Sequence, residues 1–427
     1  MKSLKVGMLG CGTVGSQIAR LLVANKADLT SRAGAQIELV KVAVRDTKVK
    51  RDAVPDNLIT TDANSIVNDP SIDLIIEVIG GISPAKELIL TALKNGKSVV
   101  TANKALLAKD GAELYEAASK ANVDLYYEAA VAGAIPILRP LRESLVGDQV
   151  IRIMGIVNGT TNYILTKMDE SGTAFADALK QAQDLGFAEA DPTADVEGFD
   201  AADKAAILAG LAFHSRVTDK DVYREGISKI TATDVKVAKA MDMVIKLLAM
   251  TELTAAGEIS VRVHPALISR NHPLASVRES YNAVFVEAKS AGQMMFYGRG
   301  AGGEPTASAV LGDLVAIARH KVSGGIGPKE SDYASLKIAP IGQTKTKYLI
   351  RLNVADKPGV LESVAHVFAA HSVSIQTVRQ TGAGDKAELI VMTHSSTESA
   401  LSATVKDLSN LPAVTDVASV LRVEGAM

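Results

Sequence analysis

The segment Gly10-Cys11-Gly12-Thr13-Val14-Gly15 constrains the fold of this chain more than any other. It follows the apolar run Lys5–Leu9, typical of a buried parallel strand, and precedes a helical pattern that begins near Gln17. In this context the first glycine permits a tight turn, the second lets the backbone approach a pyrophosphate, and the third lets helix pack on strand. The alternative is a glycine-rich turn without a ligand. We predict a Rossmann-type, doubly wound α/β domain that binds a dinucleotide through Gly10, Gly12, Thr13, Val14 and Gly15.

The turn after the second predicted strand, Ile37–Val44, bears on which dinucleotide is bound. An acidic residue there favours the ribose hydroxyl of NAD, whereas an arginine favours the additional phosphate of NADP. Arg45 and Asp46 are both present, so the choice between the cofactors stays open. Arg45 favours NADP, together with the basic residues close behind it, which are Lys48, Lys50 and Arg51. The alternative is a solvated basic turn.

The composition restricts the other classes of protein. The 427 residues are 47% hydrophobic and 22% charged, with a formal net charge of -2, and no Lys/Arg run forms a basic patch, so we expect no nucleic-acid partner. No stretch approaches the roughly 18 apolar residues of a membrane span, and the first ten residues lack the apolar core of a signal peptide. The single cysteine, Cys11, excludes internal disulfides and cysteine-only metal sites. We expect a cytoplasmic protein.

Lys104 follows another predicted strand, Ser98–Val100. Ligands of open parallel sheets bind at the carboxyl ends of the strands, so this lysine is expected to face the cofactor crevice. A surface lysine at the start of a helix would fit the same position.

An acidic segment, Gly186–Asp200, leads into a helix predicted from Asp200 to Leu211. Lys204 lies one turn after Asp200, on the apolar stripe of that helix. Burial lowers the pKa of a lysine towards the range useful for acid–base catalysis, which makes a desolvated Lys204 a catalytic candidate. The alternative is an ordinary Asp200–Lys204 pair with the ammonium reaching water.

The rest of the chain divides into further parts. A second glycine cluster, Gly298–Gly303, either covers the cofactor or only connects two elements. After a linker near Ser323–Pro328, the pattern βαββαβ, with a glycine-rich hairpin between its second and third strands, predicts a ferredoxin-like unit with a regulatory or dimerising role. We predict a Rossmann-type domain over residues 1–140, completed by 300–320, an α+β substrate-binding and dimerisation domain over 141–299, a linker over 321–345, and the ferredoxin-like domain over 346–427.

Over essentially its full length the sequence resembles homoserine dehydrogenases. The resemblance rests on GCGTVG at 10–15, TANKALLA at 101–108, GFAEADPTADVEGFDAADKAAILA at 186–209 and GRGAGGEPTASAVLGD at 298–313. The tail is similar to an ACT domain, a small amino-acid-binding module, whose signature turn matches Asp356–Gly359. The resemblance implies the reversible reduction of L-aspartate 4-semialdehyde to L-homoserine by NADH or NADPH. That reaction is the branch step toward threonine, isoleucine and methionine.

The resemblance also implies catalytic and substrate-binding roles. Lys204 matches the proton donor of the family, and Lys104 matches a lysine near nicotinamide and substrate. Glu189 matches the acid that binds the amino-acid substrate. Asp195 and Asp200 match carboxylates that hold the substrate ammonium or orient the lysine.

Further positions match cofactor and cation contacts. Gly186 and Gly302 match residues that touch the dinucleotide. A monovalent cation, expected to be sodium, is implied near the domain junction at Glu128, Val131, Gly133 and Ile135, because carboxylate and carbonyl oxygens suit a hard cation. The family forms dimers and tetramers, so a homodimer or homotetramer is implied. Threonine is the first candidate for an effector at the ACT domain.

Three other classes of protein share part of this pattern. An aspartate-semialdehyde dehydrogenase needs a nucleophilic cysteine, and Cys11 is expected to be packed inside the glycine loop. A three-domain 2-hydroxy-acid dehydrogenase uses a histidine–acid pair, and none of the seven histidines lies in such a motif; His214 is expected to be structural. A regulator without activity would not need Glu189, Asp200, Lys204 and Lys104. The remaining alternative is an ACT-containing NAD(P)-dependent dehydrogenase for another small amino or hydroxy acid.

Overall fold

The computed structural model describes residues 2–382 and 387–425. Its strands, in chain order, are β1 (Ser3–Leu9), β2 (Gln36–Ala43), β3 (Ile59–Thr60), β4 (Leu74–Glu77), β5 (Ser98–Thr101), β6 (Leu125–Tyr126), β7 (Val150–Ile156), β8 (Tyr223–Arg224), β9 (Met243–Leu253), β10 (Ile259–Ser269), β11 (Tyr281–Ala288), β12 (Gly292–Arg299), β13 (Lys345–Val354), β14 (Ile375–Thr381), β15 (Ala387–Thr393), β16 (Ser396–Thr397) and β17 (Val414–Val423).

The α-helices are α1 (Thr13–Ala24), α2 (Lys26–Ala33), α3 (Asn64–Val67), α4 (Ala85–Lys94), α5 (Lys104–Ala121), α6 (Gly159–Ser171), α7 (Phe175–Asp184), α8 (Thr193–Val196), α9 (Phe199–Phe213), α10 (Ala232–Ala240), α11 (Gly303–Ser323), α12 (Val360–Ala370) and α13 (Glu398–Leu408). No helix within the described residues is long and apolar enough to cross a membrane.

The chain forms two compact units, which are described separately. The first comprises Met1–Gly159, Asp200–Val222 and Ser280–Leu336. The second comprises Thr160–Phe199, Tyr223–Glu279 and Lys337–Met427.

The first unit is built on a six-stranded parallel sheet with the order β3-β2-β1-β4-β5-β6. This order is that of a doubly wound dinucleotide-binding fold, as the glycine motif predicts. The core of the sheet includes Val6, Met8 and Ile76 from the strands and Ile18 from α1. The long helix α11 adds Val310 and neighbouring apolar residues to the same core, although it comes much later in the chain. Strands β7, β11 and β12 form an antiparallel ribbon in this unit, with β11 in the middle.

The second unit contains a mixed sheet with the order β9-β10-β17-β13-β15-β14. Its C-terminal part has the connectivity β13-α12-β14-β15-α13-β17, which confirms the predicted βαββαβ pattern apart from the added two-residue strand β16. Leu352, Val364, Val391 and Leu401 are among the residues of its core. The predicted glycine-rich hairpin falls largely on residues 383–386, outside the described residues.

Two predicted strands are shorter than expected. The run Ser71–Gly81 forms a strand only over β4, because the carboxylate of Glu77 accepts the N–H groups of Ile79 and Gly80 and turns the chain. The run Asp124–Glu128 forms only β6, and Glu128 begins a short 3-10 turn instead. There the side chain of Asp313 accepts the N–H of Glu128 at 2.7 Å. In both places a side chain satisfies a backbone N–H group that a continuing strand would have paired.

Candidate active site

The glycine loop has the geometry that its sequence predicts. Gly10 has a φ of 101°, and a Cβ atom there would lie 2.7 Å from the carbonyl oxygen of Val78. A Cβ atom on Gly15 would overlap the carbonyl oxygen of Gly10, so this position must be glycine for α1 to approach β1. A Cβ atom on Gly12 would meet nothing within 4 Å, which leaves its backbone open to a ligand. Cys11 is buried, as expected, with its Sγ 3.6 Å from the hydroxyl of Ser16.

In the basic turn after β2, Arg45 and Arg51 have different surroundings. Arg45 is exposed. Arg51 is half-buried and its guanidinium donates hydrogen bonds to the carbonyl oxygens of Cys11, Asp46 and Val49, at 3.2, 2.9 and 2.6 Å. Arg51 therefore ties the turn to the glycine loop, whereas Arg45 is accessible to a ligand.

Two lysines share the carboxylate of Asp200. The Nζ of Lys204 lies 2.7 Å from Oδ2 of Asp200, and the Nζ of Lys104 lies 3.0 Å from Oδ1. Lys204 is 8% exposed, so its ion pair with Asp200 is buried and does not lie on the surface as the alternative required. The side chain of Lys104 is 39% exposed. Asp200 and Lys204 stand one turn apart on α9, and Lys104 is the first residue of α5, directly beyond the carboxyl end of β5.

The electrostatics of this cluster follow from its geometry. Burial alone would raise the pKa of Asp200, but the charges of Lys204 and Lys104 and hydrogen bonds from Lys204 and Asn158 hold that pKa well below its usual range. Burial and the nearby charge of Asp200 raise the pKa of the neighbouring Asp203 to about 6. Asp200 therefore remains a carboxylate throughout the neutral range and neutralises buried positive charge.

Two partners of the cluster carried no signal in the sequence. The carbonyl oxygen of Val157 accepts a 2.6 Å hydrogen bond from Lys204, and the side-chain amide of Asn158 donates a 2.9 Å hydrogen bond to Asp200. A main-chain acceptor has no residue signature, and Asn158 reads as an ordinary turn residue before a helix. Only the position of β7 beside α9 makes these atoms partners of the lysine and the aspartate.

The candidate cation segment, residues 128–135, begins at Glu128, whose carboxylate is fully hydrogen-bonded. One carboxylate oxygen of Glu128 accepts the N–H groups of Ile137 and Leu138, at 2.6 and 2.7 Å, and the other accepts that of Arg139 at 2.8 Å. Both carboxylate oxygens are thus engaged. Within the part of the chain that the structure describes, no backbone N–H donates to the carbonyl oxygens of the other three candidates, Val131, Gly133 and Ile135. Gly133 packs so closely on Gly300 that a Cβ atom would overlap the carbonyl oxygen of that residue.

The second glycine cluster lies next to the first. Gly302 has a φ of 121° and precedes α11, and a Cβ atom on Gly303 would lie 3.0 Å from the carbonyl oxygen of Thr13. The start of α11 is therefore in contact with the start of α1, where the glycine motif predicts the pyrophosphate.

Three candidate residues belong to the second unit. Gly186 has a φ of 74° and follows α7, and Glu189 is exposed in the segment between α7 and α8. Asp195 is half-buried in the short helix α8. The carbonyl oxygen of Phe187 accepts a 2.6 Å hydrogen bond from the hydroxyl of Thr160, which fastens this acidic segment to α6.

The first unit combines a dinucleotide-binding fold with a buried lysine–carboxylate cluster, and the chain ends in a ferredoxin-like module. These features define an NAD(P)-dependent oxidoreductase with an ACT domain. Family models agree: that of the homoserine dehydrogenase NAD-binding domain matches residues 10–128, that of homoserine dehydrogenase matches 136–315, and that of the ACT domain matches 348–413.

Individual relatives cover the whole chain. A homoserine dehydrogenase from Corynebacterium glutamicum is 54% identical over 423 residues, covering 98% of this chain and 95% of its own length. A crystal structure of a homoserine dehydrogenase from Thiobacillus denitrificans matches with a TM-score of 0.95 at 40% identity, covering 99% of each chain. A hyperthermophilic archaeal homoserine dehydrogenase in complex with NADPH matches with a TM-score of 0.63 at 27% identity, over 74% of this chain and 97% of its own. The chain belongs to the homoserine dehydrogenase family.

Proposed function

We propose that this chain catalyses the reversible reduction of L-aspartate 4-semialdehyde to L-homoserine, with NADPH or NADH as the reductant and Lys204 as the proton donor. The observation that carries the proposal is the buried ion pair between Lys204 and Asp200, at 2.7 Å, in the same compact unit as the glycine loop. Reduction of an aldehyde to an alcohol requires a hydride and a proton. The bound dinucleotide supplies the hydride, and the protein supplies the proton.

The contacts of Lys204 suit a proton donor. A lysine ammonium has three N–H donors. Among the described residues, the Lys204 ammonium donates to the carbonyl oxygen of Val157 and to the carboxylate of Asp200. We assign the remaining N–H to the aldehyde oxygen of the substrate, which gains negative charge as the neighbouring carbon accepts hydride. The proton then passes from Nζ to that oxygen, and the negative charge of Asp200 favours the return of a proton to the lysine.

Asp200 and Lys104 complete the catalytic group in this proposal. One carboxylate holds both ammonium groups, so Asp200 fixes their separation and compensates the charge of the buried lysine. Lys104 is the more exposed of the two and stands beyond the carboxyl end of a parallel strand, the usual place for a ligand of such a sheet. We assign it to the contact with nicotinamide and substrate.

The substrate also needs groups for its own ammonium. We assign this role to Glu189 and Asp195, with Asp200 at the reacting end, because the ammonium of an amino acid is best held by carboxylates. The exposure of Glu189 leaves it accessible to a ligand. Gly186 and Gly302 are assigned to the cofactor, both at positive φ, where a side chain would be strained.

NADPH is our proposed preference over NADH. Arg45 is exposed at the end of β2, where the additional phosphate of NADP is recognised in this fold. The archaeal relative, whose structure contains NADPH, supports the same choice.

We further propose a monovalent cation, sodium in the first instance, at the segment 128–135. The carbonyl oxygens of Val131, Gly133 and Ile135 suit a hard cation. Since the carboxylate of Glu128 already accepts three N–H groups, its contribution would come from its main-chain oxygen. The carboxylate of Glu128 then holds the segment in shape, and replacing sodium by a large organic cation in the assay tests the site.

The remaining proposals concern organisation and control. We propose that threonine acts through the ACT domain, that the enzyme is a homodimer or homotetramer, and that it works in the reducing cytoplasm, which its single buried cysteine suits. The predicted domain limits stay part of this proposal. If millimolar threonine altered neither the rate nor the thermal midpoint of unfolding, threonine would not be the effector.

A steady-state assay tests the central proposal. The purified protein is given aspartate semialdehyde with NADPH or with NADH, with and without threonine, and oxidation of the cofactor is followed. We expect turnover with both and a higher kcat/KM with NADPH. Absence of turnover with either cofactor, in a protein that binds NADPH, would contradict the proposed reaction.

A further inference from the structure

Glu77 is a buried acid at the carboxyl end of the parallel sheet, and neither the glycine motif nor the lysine cluster accounts for it. It is the last residue of β4 and is 0% exposed. One carboxylate oxygen accepts the N–H groups of Ile79 and Gly80, at 2.8 and 3.0 Å. The other accepts the hydroxyl proton of Thr101 at 2.5 Å.

The partners of Glu77 are all neutral. Within residues 2–382 and 387–425, no lysine, arginine or histidine forms an ion pair with it. A buried carboxylate is costly unless hydrogen bonds replace the water it loses, and three short bonds from neutral donors do so here. Glu77 lies at the edge of the sheet where ligands of such sheets bind. A buried carboxylate at this position is explained if it helps to arrange that edge.

The hydrogen bonds continue from Glu77 to the start of α5. The hydroxyl oxygen of Thr101 accepts the N–H of Asn103 at 3.0 Å. The side chain of Asn103 donates to the carbonyl oxygen of Gly81 at 2.6 Å and accepts the N–H of Leu106 at 3.2 Å, which caps the helix. Lys104, the next residue, is thereby fixed relative to the loop that follows β4.

The same loop supports the glycine motif on its other side. The N–H of Val78 donates to the carbonyl oxygen of Leu9 at 2.9 Å. Gly10 lies so close to the carbonyl oxygen of Val78 that a Cβ atom on Gly10 would be 2.7 Å from it. Gly80 and Gly81 both have positive φ, at 78° and 74°, so this loop has a specific, turned path. Residues 78–81 thus lie between the dinucleotide loop and the start of α5, the helix whose first residue is Lys104.

We infer that Glu77 is a positioning residue that sets the place of Lys104 relative to the dinucleotide. It acts through Thr101 and Asn103 on one side and through the loop 78–81 on the other. The inference deepens the proposed function and rests on it, because it assumes that Lys104 works beside the bound cofactor.

The first test is Glu77→Gln, which keeps the shape but replaces one acceptor oxygen with an NH2 group. Either Thr101 or the N–H groups of the loop then lose an acceptor. We expect kcat with aspartate semialdehyde to fall about ten- to a hundredfold, since misplacement of a catalytic group by about 1 Å has effects of that size. We expect NADPH binding, followed by its fluorescence, to weaken several-fold.

Asp124→Asn is the matched control. Asp124 is also buried and lies at the amino end of the same sheet, before β6, where it accepts the N–H of Gly327 at 2.7 Å and contacts His320 at 3.1 Å. We expect this variant to lose stability and to keep kcat and NADPH affinity within about twofold, because ligands bind at the opposite edge.

A double-mutant cycle separates positioning from general structural damage. If Glu77 acts through Lys104, adding Glu77→Gln to Lys104→Ala leaves kcat close to that of Lys104→Ala alone. Effects on kcat that multiply, together with unchanged NADPH affinity, would overturn the inference. If Glu77→Gln does not fold, Thr101→Val replaces it, with Thr101→Ser as the variant expected to restore activity. NADPH binding by a protein without turnover would count against the reaction and leave the binding test of Glu77 intact.

Discussion

Both compact units contain buried lysines, and Lys204 in the first unit differs from Lys246 in the second in what surrounds it. Lys204, on α9, is 8% exposed and is paired with the carboxylate of Asp200. Lys246, on β9, is 2% exposed and donates to the side-chain oxygen of Asn162 at 2.9 Å and to the carbonyl oxygen of Val277 at 2.5 Å. Among the described residues, no carboxylate lies within 4.0 Å of Lys246.

Burial alone therefore does not distinguish the proposed proton donor, Lys204, from a lysine with a structural task. Burial lowers the pKa of Lys246 to about 8, because neutral oxygens compensate little of the cost of its charge. That lysine ties β9 to α6 and the segment near Val277, a structural task. Lys204 has a charged partner, a second lysine on the same carboxylate and a place in the unit that binds the dinucleotide.

The largest expected effect comes from Lys204→Met. Loss of a general acid typically lowers a rate by about 10²–10⁴, so we expect kcat to fall within that range while NADPH affinity changes little. Steady-state kinetics and NADPH fluorescence titration measure the two quantities. Lys246→Met is the matched control and should retain kcat. Near-normal turnover of Lys204→Met would remove its assignment as proton donor.

Asp200→Asn should lower both activity and stability. It leaves Lys204 buried without its counter-charge, and breaking a buried pair in this way costs about 3–5 kcal/mol. The pKa of Asp200 in the folded protein lies below its ordinary value of 3.8. Its ionised form therefore stabilises the fold fully above pH 3.8, and this stabilisation is lost as the pH falls from 3.8 towards the folded-state pKa.

Urea unfolding of the wild type and of Asp200→Asn between pH 3 and 8 measures this effect. The difference in unfolding free energy should be nearly constant at neutral pH and should shrink below about pH 4. Because the pKa of Asp203 is raised from 3.8 to about 6, that group contributes between these values, and the window below about pH 4 is the informative one for Asp200. A difference that grew with acidification would contradict the assigned charge state.

Lys246→Met should reveal a dependence on pH in a different, alkaline window. Burial lowers the pKa of Lys246 from 10.5 to about 8, so between these values the unfolded chain binds a proton that the folded chain does not. Wild-type stability should therefore gain up to about 3 kcal/mol from this group as the pH rises through that window. The methionine variant should lack this gain in urea unfolding from pH 7 to 10. Parallel pH profiles for the two proteins would mean that Lys246 titrates normally.

The smallest effect is expected at an exposed cation. Arg45→Ala should weaken NADPH by about fivefold and NADH hardly at all, because an exposed ion pair contributes about 1 kcal/mol or less. Lys50→Ala is the control, since Lys50 is exposed and already paired with Asp52 at 3.1 Å. Equal losses for both cofactors in Arg45→Ala would remove the reason to prefer NADP.

Much of the fold follows from local patterns. The glycine spacing predicts the strand–loop–helix unit because Gly10 and Gly15 occupy places where a Cβ atom would meet backbone. The spacing of Asp200 and Lys204 predicts a helical turn, and the position of Lys204 on the apolar stripe of that helix predicts its burial. The alternation of strands and helices in the tail predicts its ferredoxin-like topology, which the order β17-β13-β15-β14 confirms.

Other features depend on contacts between distant segments. The sequence predicts strands through Gly81 and Glu128, but the side chain of Glu77 accepts the N–H groups of Ile79 and Gly80, and the side chain of Asp313 accepts the N–H of Glu128, so both strands end early. The pairing of Lys104 with the carboxylate that also holds Lys204 joins residues far apart in the chain. No periodicity encodes such a contact.

The sequence by itself determined which residues are candidates for the cofactor site and the lysine cluster. They are glycines at backbone positions that exclude side chains, and a lysine one helical turn from an aspartate. These are properties of neighbouring residues and need only local geometry. Only the tertiary structure decided that Lys204 donates to the carbonyl of Val157 and shares Asp200 with Lys104, whereas the hydrogen-bond partners of Lys246 among the described residues are neutral oxygens. The physical reason is that the electrostatics of a buried charge are set by whichever atoms surround it, and folding brings those atoms from other parts of the chain.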